Sequence, residues 1–313
     1  MPARLVWIAA ALALACAAFL GLGLRGDPGF ALSLRAPRLA ALLLVGAAIG
    51  CATVMFQTIA GNRILTPSIM GFDALFGLLQ TGLVFALGGF GVATMAPQLR
   101  FALEAGLLMG GALLLFGTLL GGRRVDLHRM ILTGIVCGVL FRSLSGFVAR
   151  MIDPNEYAIV QGSSFARFNA VPIELIAIAA LLSLLALAVA WRLRHRLDVM
   201  ALGRDHAVSL GVDHRRTLML ALATIAALVS VSTALVGPVT FFGLLVSALA
   251  HLAMRDHRHA VLMPAAALIA GLVLVAGQTV IERLLGWSLT LSVIVEFAGG
   301  LLFLVLILRR PAP

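Results

Sequence analysis

Residues able to do chemistry are few in this chain. Asp73, Glu104 and Glu296 are carboxylates set in apolar surroundings, the kind of group that relays protons through a membrane. His251, Asp256, His257 and His259 offer the mixed nitrogen and oxygen set that a borderline metal takes. Arg255 and Arg258 are interleaved with them, so they read instead as a solvated, positively charged loop, and no metal centre is assigned. No Ser-His-Asp, paired-carboxylate or Cys-x-x-Cys arrangement stands out, so chemistry on a substrate is not expected. All 23 basic residues are Arg. A phosphate-binding loop needs its lysine and a Schiff-base enzyme its amine, and the chain has neither to offer. It is expected to bind no cofactor, and any ATP and Mg²⁺ must be used by a partner. Cys16, Cys51 and Cys137 all lie in apolar sequence and read as small buried residues with no disulfide framework.

The surroundings of these residues are oil-like. The 313 residues are 62% hydrophobic and 12% charged, with a mean hydropathy of +1.10, against about 25% charged in soluble domains. The reading is an all-α polytopic membrane protein, one domain over 1–313, with about ten spans near 5–24, 39–60, 68–91, 101–120, 130–150, 171–191, 217–236, 241–254, 261–281 and 289–308. The eighth is too short to cross unaided at about 1.5 Å per residue and is expected to be a half-crossing helix packed inside protein. Most arginines, among them Arg4, Arg63, Arg123, Arg124, Arg309 and Arg310, fall on one set of alternate loops. Both termini and the loop at about 193–216 are therefore placed in the cytoplasm. The same placement explains the net charge of +10 without nucleic acid, and lipid is the expected surrounding.

Several polar residues must sit in or beside the bilayer. Arg142 falls near the middle of the fifth span, where an arginine costs about 2.5–3.5 kcal/mol on insertion scales. With Gly146 and Arg150 it makes one stripe, beside Ser143 and Ser145. The stripe reads either as lining a water-filled path or as a structural ion pair with Asp73, Glu104 or Glu296. Gln57 and Gln278 are further path candidates, and a helix–helix hydrogen bond accounts for either equally well. Arg35, Arg38 and Arg283 fall on the external side, where a planar, permanently charged fork suits a wet protein interface and lipid phosphates alike.

In Leu202–Arg216, LGRDHAVSLGVDHRR, seven of fifteen residues are Arg, Asp or His. Gly211 can take the left-handed turn that ends a helix, Asp205 suits a helix N-terminus, and Asp213 can cap the next span. The result is a helix about 10 Å long. Its small residues Gly203, Ala207 and Gly211 permit close approach by another protein; the alternative is a solvated connector.

The run LGRDHAVSLGV, Leu202–Val212, resembles the "LG…A..LG" cytoplasmic loop of the FecCD-type permeases, membrane subunits of bacterial ABC importers for iron–siderophores, haem and vitamin B12. The resemblance spans nearly the whole chain. RAPRLAALLLVGAAIGCATVMFQTIAGNRILTPSIMGFDALF (35–76) is similar to the family's second helix and following loop. STALVGPVTFFGLLV (232–246) and DHRHAVLMPAAALIAG (256–271) are similar to its seventh to ninth helices. The form NRILTPSIMGFDALF looks most like permeases for catecholate-type siderophores such as petrobactin, anguibactin or enterobactin. The resemblance implies the type II ABC importer permease fold in the bacterial inner membrane, and a homodimer or a heterodimer with a similar permease. It further implies two cytoplasmic ATPase subunits and a periplasmic or lipid-anchored siderophore-binding protein. It places Leu202, Gly203, Arg204, Ala207, Leu210 and Gly211 against the ATPase, and Arg35, Arg38 and Arg283 against glutamates of the binding protein. The competing function is a proton-coupled secondary transporter using Asp73, Glu104 and Glu296. Uptake of free metal ions would need intramembrane or external His clusters, which the sequence lacks.

Overall fold

The structure, a computed structural model, describes residues 2–23, 27–68, 71–120, 127–284 and 290–308. The expected span boundary at 289 and the loop arginines Arg123, Arg124, Arg309 and Arg310 lie outside the described residues. The described chain is helical: α1 (Pro2–Gly21), α2 (Pro28–Ile59), α3 (Phe72–Thr94), α4 (Pro97–Leu120), α5 (Leu127–Ala149), α6 (Pro154–Ser163), α7 (Ile173–Met200), α8 (Arg204–Ser209), α9 (His214–Val236), α10 (Phe242–Ala253), α11 (His259–Leu284) and α12 (Leu291–Leu308). A helix answers each of the ten expected spans. The two further elements are α8, expected from its glycines, and α6, which the sequence reading passed over.

The helices are not equivalent. In the most apolar 18-residue window of α2, 78% of residues are buried, against 6% in α1, so α2 is the central post. It packs along α11 with almost no side chain between. A Cβ on Gly46 would stand 3.0 Å from the Gly271 nitrogen, and one on Gly50 would stand 2.9 Å from the Ala266 oxygen. Small residues that let backbones meet are the main source of helix association where lipid is as apolar as leucine.

The start of α2 corrects the expectation of a span beginning at 39. Asp27 accepts the Gly29 N–H at 2.9 Å and Pro28 opens the first turn, a favourable start because that turn's N–H groups have no intrahelical partner. Pro37 lies inside the helix, a position that membrane helices tolerate more readily than soluble ones. Arg35 and Arg38 therefore stand on the helix itself and not on a preceding loop.

Two other departures from regular helix are compensated. Gly88, at φ 70°, breaks α3, and Glu156 of α6 accepts the Gly89 N–H at 3.0 Å. Val84 and Val92 of α3 close over Ile152 and Val160 in a separate small core. The expected half-crossing helix is α10, 12 residues and so about 18 Å against a hydrocarbon layer of about 30 Å. It starts after Phe241, at φ 57°, with that turn lodged against Gly299 of α12, where an added Cβ would stand 2.7 Å from the Phe241 Cβ.

Gly50→Leu must force α2 and α11 apart and should cost about 1–3 kcal/mol, as overpacking does. The check is the melting temperature of the purified protein in detergent, with Gly106→Ala as control. A Cβ at Gly106 meets nothing within 4 Å, so that variant should melt at or above the parent temperature.

Candidate functional site

The charged segment after α7 forms a short, well-terminated helix. Gly203 enters α8 at φ 97°, and Gly211 leaves it at φ 81°, both conformations that favour glycine. Gly211 donates to the Val208 oxygen and Val212 to the Ala207 oxygen, each at 3.0 Å, the paired bonds of a left-handed helix stop. Asp213 then accepts the Arg216 N–H at 3.0 Å and caps α9. Leu202, Val208 and Leu210 are 60%, 56% and 63% exposed, and Gly203, Arg204 and Gly211 are exposed beside them. Ala207 departs from the expected contact set. It is fully buried in the main core, so its methyl seats α8 on the protein and cannot touch a partner. Val208, which sequence reasoning missed, takes its place on the outward face.

The three external arginines do come together, for Arg35 feels the charges of both Arg283 and Arg38, and of Glu282. Their roles differ, however. Arg35 donates to the Phe19, Leu20, Leu22 and Gly23 oxygens at 3.3, 2.7, 2.9 and 3.2 Å. These are the orphan carbonyls at the end of α1, and a cation is favoured there. Arg35 thus staples the α1–α2 hairpin, which uses the guanidinium that the sequence reading offered to a partner. Arg38 is half-buried and Arg283 exposed.

The expected path residues separate in the same way. Gln57 is buried; its Nε2 donates to the Ser247 hydroxyl at 2.8 Å and to the Arg63 oxygen, joining α2 to α10. Gln278 is also buried and donates to Asn169 at 3.0 Å and Glu282 at 2.9 Å. In this conformation both are tied within the chain. Arg142 and Gly146 are exposed on α5 and Arg150 is exposed just beyond its end, while Ser145 turns inward to Thr81 at 2.7 Å.

The carboxylates do not form one relay. Arg100 holds Glu104 at 2.7 Å and Gln80 at 3.1 Å. Asp73 accepts from the Thr240 hydroxyl at 2.7 Å and from Ser68, and faces the Arg142 charge; Glu296 accepts the Thr240 N–H. Of the three partners considered for Arg142, Asp73 is the one whose charge it faces, and Glu104 is engaged elsewhere.

The group near residue 256 is also divided. Arg258 forks onto Asp256 with a shortest contact of 2.7 Å and holds its carboxyl below the usual range. The His251 and His257 ring centroids are 6.0 Å apart. Among the described residues no group of three or more His, Cys, Asp or Glu is placed to hold a metal ion. His259 corrects the reading of a solvated loop. It is 2% exposed, and it bonds to Asp198, 61 residues away in sequence. Cys51 is buried, Cys16 and Cys137 partly so, and all three are free thiols.

A helical body of this hydropathy, with a half-length helix inside it and one short helix seated at one end, defines a multi-pass membrane protein. The chain belongs to the FecCD transport family, whose model matches residues 5–309. It is 41% identical over 285 residues to the petrobactin import system permease protein YclO of Bacillus subtilis, covering 91% of this chain and 90% of that one. It is 31% identical over 272 residues to the petrobactin import system permease protein FatC of Bacillus anthracis, with 87% and 77% covered. A solved metal-chelate type ABC transporter in an inward-facing conformation shares the fold at a TM-score of 0.85, with 22% identity and 99% of each chain covered.

Arg35→Leu should leave four carbonyls at the end of α1 without their cation. Charged hydrogen bonds are worth about 1.5–3 kcal/mol each at most, so the variant should melt lower and exchange amide hydrogens faster over residues 16–23. Unchanged exchange there would show that Arg35 does not hold the hairpin.

Proposed function

We propose that this chain is the permease subunit of an ATP-driven importer that carries a ferric siderophore across the bacterial inner membrane. Supporting the cargo class, relatives over 91% and 87% of the chain are named for petrobactin, and one of 27% identity for ferric enterobactin. The observation that carries the mechanism is α8 with its flanks, which leave Leu202, Val208 and Leu210 exposed around a helix bounded at both ends by positive-φ glycines. Exposed apolar side chains on a rigid, buried-footed helix fit a groove on another protein.

The permease acts as a dimer, with itself or with a similar chain, above two ATPase subunits that bind ATP and Mg²⁺. A binding protein delivers the chelate from outside, met by Arg38 and Arg283. Association of the ATPases then shifts the permease between two conformations by binding one better than the other. Exposed Arg142 on α5, with Arg150 just past the helix end, lines the path between subunits, where fixed positive charge suits an anionic iron chelate. Gln57 and Gln278 support the walls of the path and do not line it. The chain itself hydrolyses nothing.

Gly211→Pro tests the assignment of α8, because proline cannot adopt φ 81° and lacks the N–H that bonds to Val208. The variant should insert normally and lose uptake of ferric petrobactin while the ATPase still turns over. Normal uptake would count against the assignment. Arg283→Glu should slow binding-protein association about tenfold at low ionic strength, with the difference shrinking as salt rises. Stopped-flow fluorescence measures it, and a difference independent of salt would remove Arg283 from the interface.

A further inference from the structure

Three helix ends meet at one imidazole. Asp198 lies in the last two turns of α7, His259 is the first residue of α11, and Thr58 is in the last turn of α2. One Asp198 oxygen accepts the His259 N–H at 2.7 Å and lies 2.6 Å from its Nδ1. On the far side of the ring, Nε2 lies 2.7 Å from the Thr58 hydroxyl. The carboxylate can only accept, so Nδ1 carries a proton. Thr58 has one hydroxyl proton and two acceptors for it, His259 Nε2 and the Val54 oxygen at 3.0 Å in its own helix. The Thr58 proton therefore has an acceptor on either side, and the imidazole is gripped from α7 and from α2 at once.

The chain between this contact and α8 has little slack. Ala201 donates to Leu197 at 3.0 Å, Leu202 to Val199 at 3.1 Å, Gly203 to Met200 at 3.0 Å and Ala207 to Gly203 at 3.0 Å. The end of α7, which carries Asp198, is thus joined to α8 by successive backbone hydrogen bonds. On the other side, α2 and α11 are locked together at Gly46 and Gly50. We propose that the Asp198–His259 bond is the link that passes movement of α8, through the end of α7, to the α2–α11 pair, and that Thr58 holds the His259 ring toward Asp198, so that His259 and Thr58 are positioning residues for coupled transport. The proposal rests on the reading of α8 as the ATPase contact. Coupling between distant sites is carried by hydrogen-bond networks that join rigid elements, and one such network joins the ends of α7, α11 and α2 here.

The test uses the complete importer, permease with ATPase and binding protein, in proteoliposomes with ferric petrobactin as the probe. Thr58→Val keeps the shape and removes only the hydroxyl. It should insert and melt like the parent, keep ATP hydrolysis, and move at least about fivefold less iron per ATP, the lower bound of an ordinary coupling between sites. Thr58→Ser should restore the ratio. If Thr58→Val inserts poorly, His259→Asn, which keeps an amide donor toward Asp198 and cannot reach Thr58, should give the same loss. An unchanged ratio in Thr58→Val with Gly211→Pro uncoupled would overturn the link and leave α8 standing. Unchanged ratios in both would overturn the two together.

Discussion

The backbones of α2 and α11 touch, and most of the molecule hangs on that contact. At Gly46 and Gly50 there is no room for a single carbon between them, so the pair behaves as one body. The surrounding elements are fixed to it by directional groups. Arg35 ties in α1 through four carbonyls, and Gln57 ties in α10 through Ser247. His259 ties in α7 through Asp198. Lipid supplies no hydrophobic force between helices, so close backbone packing and a few buried hydrogen bonds must hold the arrangement.

The same economy governs the irregular places. Every departure from continuous helix leaves backbone groups that water cannot reach within a bilayer. Three of them are met from a neighbouring element: Glu156 at the break in α3, Arg35 at the end of α1, and Arg4, which donates to the Ala253 oxygen at 2.7 Å, at the end of α10. Asp73 and Glu296 both take hydrogen bonds from Thr240, in the turn that starts α10. That turn is therefore held from α3 and α12 at once, with the Arg142 charge close by.

Much of this was legible from residue types alone. Long apolar runs give away spanning helices because nothing else tolerates them, and the shortness of 241–254 marked α10 as a half-crossing. The form of α8 was legible too, since Gly211 and Asp213 act on their immediate neighbours. What was not legible depends on partners distant in sequence. Ala207 looked like contact surface because its burial depends on the core beneath α8. Arg35 and His259 looked free because their partners are carbonyls of another helix and a carboxylate 61 residues away. The first turns of α2 looked like a loop, as Pro37 and two arginines do in soluble sequence. The residues of α6, PNEYAIVQGS, have no apolar run to announce them.

The central claim is that the chain is moved by work entering at α8 and has no driving force of its own. Uptake of ferric petrobactin into proteoliposomes tests it most directly, with the permease reconstituted alone under an imposed proton gradient and, separately, with its ATPase, binding protein and ATP. The account predicts accumulation only in the second preparation, undiminished when the gradient is dissipated. Accumulation against a concentration gradient by the permease alone would contradict it.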